Sequence, residues 1–238
     1  MIDFWHFGVA NTARFATATG QHLSLVITAV LLSILLAALI TAGIDALQNN
    51  RQLKSNGRTP HAAHKLAESV QSSLAALYAV PSLALFALAI PLLGIGTATA
   101  IIVLVAYNQF LLVRNFSAGL ASVDTGLYEA ARSLGCTRLQ AFTSVQLPLA
   151  APILIAGVRL ATISTIGIAT IAALVDAGGL GALIFTGLRT NSLNLLLWAT
   201  LLTMLLALFA NAVLSLCERL FSRTTHGKCD TVNTDFSS

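Results

Sequence analysis

One stretch mixes chemistries that the rest of the chain keeps apart. Glu129, Ala130 and Ala131 are followed by Gly135, then by Val145, Leu147 and Pro148. Glu129 and Arg132 supply charge, the alanines permit close approach, and Gly135 can take a left-handed turn. Such a set suits recognition by a partner surface rather than bond-making. Elsewhere, Arg159 is the one charge inside a long apolar run. It has two readings: snorkelling or structural pairing near one face, and a part in a pathway or gate. Asp176 with Gly178, Gly179 and Gly181 reads as a tight turn or as part of an outer gate. His61 and His64 are three apart, but no cysteine or carboxylate cluster accompanies them, so a metal is not expected. Gly227-Lys228 is followed by Cys229 and has Ser222 where a phosphate-binding loop needs its first glycine. No nucleotide-binding loop is therefore expected in this chain.

The elements that position these residues follow from composition. Of 238 residues, 56% are hydrophobic and 9% charged, with a mean hydropathy of +0.83. A soluble domain carries about 25% charged residues. Most of this chain therefore faces lipid or other apolar helices. A net charge of +4, with no basic stripe, argues against nucleic acid. Cys136, Cys217 and Cys229 lack a framework spacing and read as free thiols. Five segments meet the length of about 20 residues needed to span a bilayer. They begin at Leu23, Ser69, Ile95, Leu149 and Leu193. The runs are continuous rather than alternating, so the expectation is an all-α membrane protein. Pro81 is expected to kink the second span. Pro91, Gly94 and Gly96 punctuate the turn to the third. Asn108, Gln109 and Asn211 are polar residues within spans, read as helix–helix hydrogen-bonding groups ahead of solute contacts.

Basic residues set the orientation. Arg51, Lys54, Arg58 and Lys65 fall between spans one and two. Arg114, Arg132 and Arg138 fall between spans three and four. Arg219, Arg223 and Lys228 follow span five, and only Arg14 and Arg189 fall on the other side. This asymmetry places the loops and the C-terminus in the cytoplasm and the N-terminus outside. The organisation expected is an extracytoplasmic segment 1–22, a transmembrane domain 23–217 with its loop at about 114–148, and a cytoplasmic tail 218–238.

Within that loop, Asp124 and Thr125 can cap a helix start. Leu127, Ala130, Ala131 and Leu134 recur along one face. Gly135 is expected to end the helix in a left-handed conformation. Thr137 can cap a second short helix carrying Leu139, Phe142 and Val145, which Pro148 would stop and after which Pro152 would open the fourth span. An interfacial pair resting on lipid is the plain alternative. Alanines make a poor lipid anchor, and small residues suit a protein groove.

The spacing Glu-Ala-Ala, three residues, Gly135, nine residues, Val145, one residue, Leu147-Pro148 resembles the EAA loop of binding-protein-dependent ABC importer permeases. Val145 replaces the isoleucine of that pattern. Pro81–Tyr107, SVDTGLYEAARSLG and Thr170–Leu188 are similar to the branch importing glycine betaine, choline or carnitine. The resemblance covers roughly Gln21 to Phe221. It implies a permease subunit, not itself an enzyme, in the bacterial inner membrane. It also implies a second permease, cytoplasmic ATPase subunits that use ATP and Mg, and a solute-binding protein outside. No cofactor is expected in this chain. The Glu129–Pro148 positions would couple to the ATPase, and Asp176 and its glycines would gate or dock the binding protein. An amino-acid permease of the same family, such as one for methionine, is the alternative. An ion-coupled secondary transporter would need membrane-centre carboxylates or histidines, and Asp45, Glu68, Asp124, Asp176 and Glu218 all lie away from span centres. A structural scaffold would not need the glycine elbow. Trp5 and Trp198 read as interface residues. A quaternary ammonium needs several aromatic faces together, and no such group is visible in the sequence.

Overall fold

The computed structural model describes residues 2–52 and 61–233, with side chains for 4–45, 65 and 67–221. Lys54 and Arg58 lie outside the described residues. The side chains of Arg51, His61, His64, Arg223, Lys228 and Cys229 lie outside the described side chains. Among the described residues ten α-helices follow one another: α1 (Ile2–Ala10), α2 (Thr12–Gln52), α3 (His61–Ala79), α4 (Ser82–Leu93), α5 (Thr97–Ala121), α6 (Thr125–Ser133), α7 (Arg138–Ala141), α8 (Leu147–Ala169), α9 (Gly179–Arg189) and α10 (Leu193–Asn233). A π-helical turn, Phe142–Gln146, joins α7 to α8, and a 3-10 turn, Ile171–Val175, follows α8. The described chain contains no strand, as its continuous apolar runs require.

Among the described residues, four stretches are long and apolar enough to cross a membrane unbroken: Thr12–Asp45, Thr97–Ala121, Arg138–Ala169 and Leu193–Phe221. The first is helical well before the apolar run that starts at Leu23. The remaining expected span is not a single rod. Ala67–Ala79 and Ser82–Leu93 meet at 96°, a break rather than a mild kink. Pro81 has no amide hydrogen to offer the Leu77 carbonyl. The Val80 amide donates to that carbonyl instead, at 3.2 Å, and the helix closes before the proline.

The π-turn changes another expectation. Pro148 does not stop the helix: the chain stays helical from Arg138 into α8, with Pro148 in the first turn of α8. The Leu147 amide reaches back to the Phe142 carbonyl. This widened turn shifts the hydrogen-bond register just where the proline withholds a donor.

Water does not drive helices together within a bilayer, so close packing and hydrogen bonds must. The core follows that rule. Ala29 of α2, Ala100 of α5 and Ala169 of α8 are fully buried in one cluster with Val26, Phe86 and Leu104. Beside it, Asn108 of α5 donates to Ser33 Oγ of α2 (3.2 Å) and to Thr165 Oγ1 of α8 (2.8 Å). The Gln109 amide also reaches the Ser33 carbonyl at 3.4 Å. These polar residues hold helices to one another, as expected.

Candidate functional site

The Glu129–Pro148 segment is assembled from local signals. Asp124 caps α6 by accepting the Gly126 amide at 2.8 Å. At the other end Gly135 has φ +94°. The Cys136 amide donates to the Ala131 carbonyl and the Gly135 amide to that of Arg132, closing the helix as a Schellman motif. Arg132 Nη1 adds a 2.6 Å bond to the Cys136 carbonyl. Thr137 and Gln140 then form a reciprocal capping box that starts α7.

The presumed apolar stripe of α6 is divided between two roles. Ala131 is buried, where α6 meets the segment that follows. Leu127 and Leu134 are exposed, Leu134 by 86%, and Leu139 of α7 is 71% exposed. Glu129, Ala130, Arg132, Gly135, Leu147 and Pro148 are exposed beside them, and Val145 is half-buried. The segment thus presents leucines ringed by charge, with its glycine elbow open to the outside.

Asp176, Gly178, Gly179 and Gly181 do not form a tight turn alone. Asp176 (φ 58°) ends the 3-10 turn, and Gly178 and Gly179 (φ 72° and 75°) lead directly into α9, an apolar helix not among the five expected spans. A Cβ on Gly181 would come 2.0 Å from the Thr170 carbonyl oxygen, so only glycine fits there. The Val175 carbonyl accepts the Gly96 amide at 2.7 Å, tying this joint to the α4–α5 turn.

Two residues at this joint escaped the sequence reading. Gln21 Oε1 accepts the Gly179 amide at 3.1 Å. His22 is fully buried, and its Nε2 donates to the Ile166 carbonyl at 3.2 Å. Their signal was a polar Gln-His pair at the start of the first apolar run. A groove of about 400 Å³ lies alongside, lined by Arg14, Thr17, Gln21, Gly179 and Ala182 among others.

Arg159 reaches across to α10. Its Nη1 donates to Asn211 Oδ1 at 3.2 Å. Its Nε lies 3.2 Å from Glu218 Oε2, an ionic contact whose N–H is not aimed at that oxygen. The geometry therefore engages the charge in helix pairing.

Aromatic groups that were not visible in the sequence come together in the fold. Phe4 stacks on Trp198 with ring centres 4.8 Å apart, and Trp5 and Phe15 pack around the same indole. The Trp198 indole N–H donates to the Phe4 carbonyl, fastening α1 to α10. A second group joins Tyr78 of α3 to Tyr107 and Phe110 of α5, at 4.7 and 5.0 Å between centres. Both groups draw on residues far apart in sequence, which is why spacing did not reveal them.

Known proteins bear on this arrangement. The model of the family described as "Binding-protein-dependent transport system inner membrane component" matches residues 64–226. The chain is 34% identical to an osmoprotectant import permease protein of Salmonella typhimurium, over 87% of this chain and 91% of that one. It is 32% identical to a glycine betaine/carnitine/choline transport system permease protein of Bacillus subtilis, over 92% and 94%. It is 36% identical to a carnitine transport permease protein of Listeria monocytogenes, over 87% and 88%. In fold it is similar to a chain of an inward-facing methionine ABC transporter, with a TM-score of 0.72 and 21% identity, covering 87% of this chain and 95% of that one. An extended match to the family model, together with relatives aligned over nearly their whole length, makes this chain a member of the binding-protein-dependent transport system inner membrane components.

Proposed function

We propose that this chain is the permease subunit of an ATP-driven importer for compatible solutes carrying a quaternary ammonium group, such as glycine betaine, choline or carnitine. The observation that carries it is near full-length similarity to two permeases whose names give such solutes and to a third named for osmoprotectants. Cytoplasmic ATPase subunits supply the energy, using ATP and Mg. A second permease completes the pathway, and a binding protein delivers solute from outside. The N-terminus lies outside and the C-terminus in the cytoplasm. The exposed leucines and charges of Glu129–Pro148 fit a groove on the ATPase and form the coupling element. Asp176, Gly178, Gly179 and Gly181 hold α9 at the outer end, where gating belongs. Arg159 supports that frame through Asn211 and Glu218.

The test is radiolabelled uptake of betaine, choline, carnitine and methionine at high osmolarity in deletion and complemented strains. Loss of betaine-like uptake that returns with the gene is expected. Loss confined to methionine would move the chain to the amino-acid alternative.

A further inference from the structure

A permanent cation cannot shed its charge to cross an apolar layer. Moving it from water into a low-dielectric interior is costly unless other groups replace its hydration. Carboxylates are the usual replacement, but among the described residues none stands near the middle of a span. Asp45 ends the first, Glu68 begins the broken one, and Glu218 lies close to the end of the apolar part of α10. The centre of the membrane must offer something else.

What it offers is aromatic. Tyr107 and Phe110 lie near the middle of α5, one helical turn apart, and Tyr78 reaches both from α3. The three rings are half-buried, so each keeps surface that is not covered by the chain. They stand beside the 96° break, and the Tyr107 hydroxyl donates to the Val80 carbonyl at 3.4 Å. A helix opened at membrane depth is tolerated only against protein or a water-filled cavity. Such breaks in corresponding helices of transporters line solute sites. One of these faces is already taken, so a solute cation is left with the others. The Arg114 guanidinium lies 5.8 Å from the centre of the Phe110 ring.

We propose that Tyr78, Tyr107 and Phe110, beside the opened backbone at Val80–Pro81, bind the trimethylammonium group of the solute midway through the membrane. This rests on the solute class proposed above. The ring faces attract the cation through their quadrupoles. Sites of this strength suit transit, since they hold a charge without trapping it as a buried carboxylate would.

The experiment uses the assembled permease–ATPase complex in lipid nanodiscs. Its native cysteines are replaced, and Ala79→Cys is introduced on the exposed side of the break. The rate of labelling by a small soluble thiol reagent is measured with choline, or with the uncharged analogue that has carbon in place of nitrogen. Choline is expected to slow labelling and the uncharged analogue is not. Phe110→Leu should raise the half-protecting choline concentration about fivefold or more, whereas Phe110→Tyr and Tyr78→Phe should change it less than about twofold. No labelling at Ala79→Cys, equal protection by both compounds, or equal effects of Leu and Tyr at 110 would each overturn the site. If Phe110→Leu does not assemble, discrimination between the two compounds by the otherwise unaltered complex decides alone. Choline uptake by cells without protection sinks the site and leaves the proposed function standing. Protection without uptake keeps the site and removes that function.

Discussion

At the scale of single residues, Gly135 and Arg159 make opposite demands. Nothing lies within 4 Å of a Cβ built on Gly135, so a side chain there meets only the penalty of φ +94°. That penalty is about 1–2 kcal/mol for most residues and smaller for asparagine. Gly135→Val should leave the subunit inserted and abundant while weakening ATPase retention and abolishing solute-stimulated ATP hydrolysis, whereas Gly135→Asn should keep most of both. Co-purification of the ATPase with each variant checks this, and normal retention by Gly135→Val would mean that the segment is not the coupling element. Glu129→Lys should act more mildly, since an exposed charge contact is worth under about 1 kcal/mol. Arg159 instead depends on its neighbours. Glu218→Leu leaves a half-buried guanidinium short of a partner, a loss of about 1–3 kcal/mol. Replacing Arg159 and Glu218 together by leucine removes both charges and should recover much of it. Melting of the purified complex reads the difference, and a double variant less stable than either single one would refute the pairing. The left-handed glycine and both caps were legible from residue type alone, because their signals lie within a few positions. The partner of Arg159 was not, because it sits on a helix some fifty residues away.

Among the elements, the broken span and the α2–α5–α8 contact show where local signals stop. Pro81 announced a disturbance, but its size depends on what replaces the missing hydrogen bond, and that is a tertiary matter. The same holds for Pro148, where the π-turn keeps the helix going. The helix α9 stayed hidden because eleven residues are too few to span and its glycines looked like a turn. Asn108 illustrates the energetics. Ser33 and Thr165 each also bond a carbonyl of their own helix, so Asn108→Leu does not strand them. The expected cost is about 0.6–2 kcal/mol, modest for a buried group. A lower melting temperature with transport retained is the expected result; complete loss of the folded complex would show that more than this contact depends on Asn108. Gly181→Ala should be far worse, because the Thr170 backbone stands 2.0 Å from the new carbon and cannot rotate away. Its absence from membranes under the conditions that yield Asn108→Leu would bear this out.

For the whole molecule, hydropathy foretold a helical membrane protein; of the five expected spans four are unbroken among the described residues, and the fifth is a crossing only if the pair bent by 96° counts as one. The comparisons place it among permeases of known kind. Sidedness is testable directly. A single cysteine at Asn191, in the exposed turn after α9, should react with an impermeant thiol reagent on intact cells, and one at Thr137 should react only after lysis. The reverse pattern would overturn the orientation and the coupling role with it. Transport should also survive collapse of the proton gradient while ATP is maintained.

The unbroken helix from Arg138 to Ala169 has a mechanical meaning. Its 32 residues make a strut about 48 Å long. One end stands beside the exposed elbow, and the other runs into the turn whose Val175 carbonyl grips Gly96. Pivoted at one end, a strut of that length turns a tilt of roughly five degrees into about 4 Å of travel at the other. The π-turn near the elbow, with Pro148 and Pro152 just beyond it, is its compliant region, since π-turns and prolines are where helices bend. Stiffening that region, by deleting the extra residue that creates the π-turn, would make the far turn follow every movement of the elbow and leave import and idling hard to tell apart.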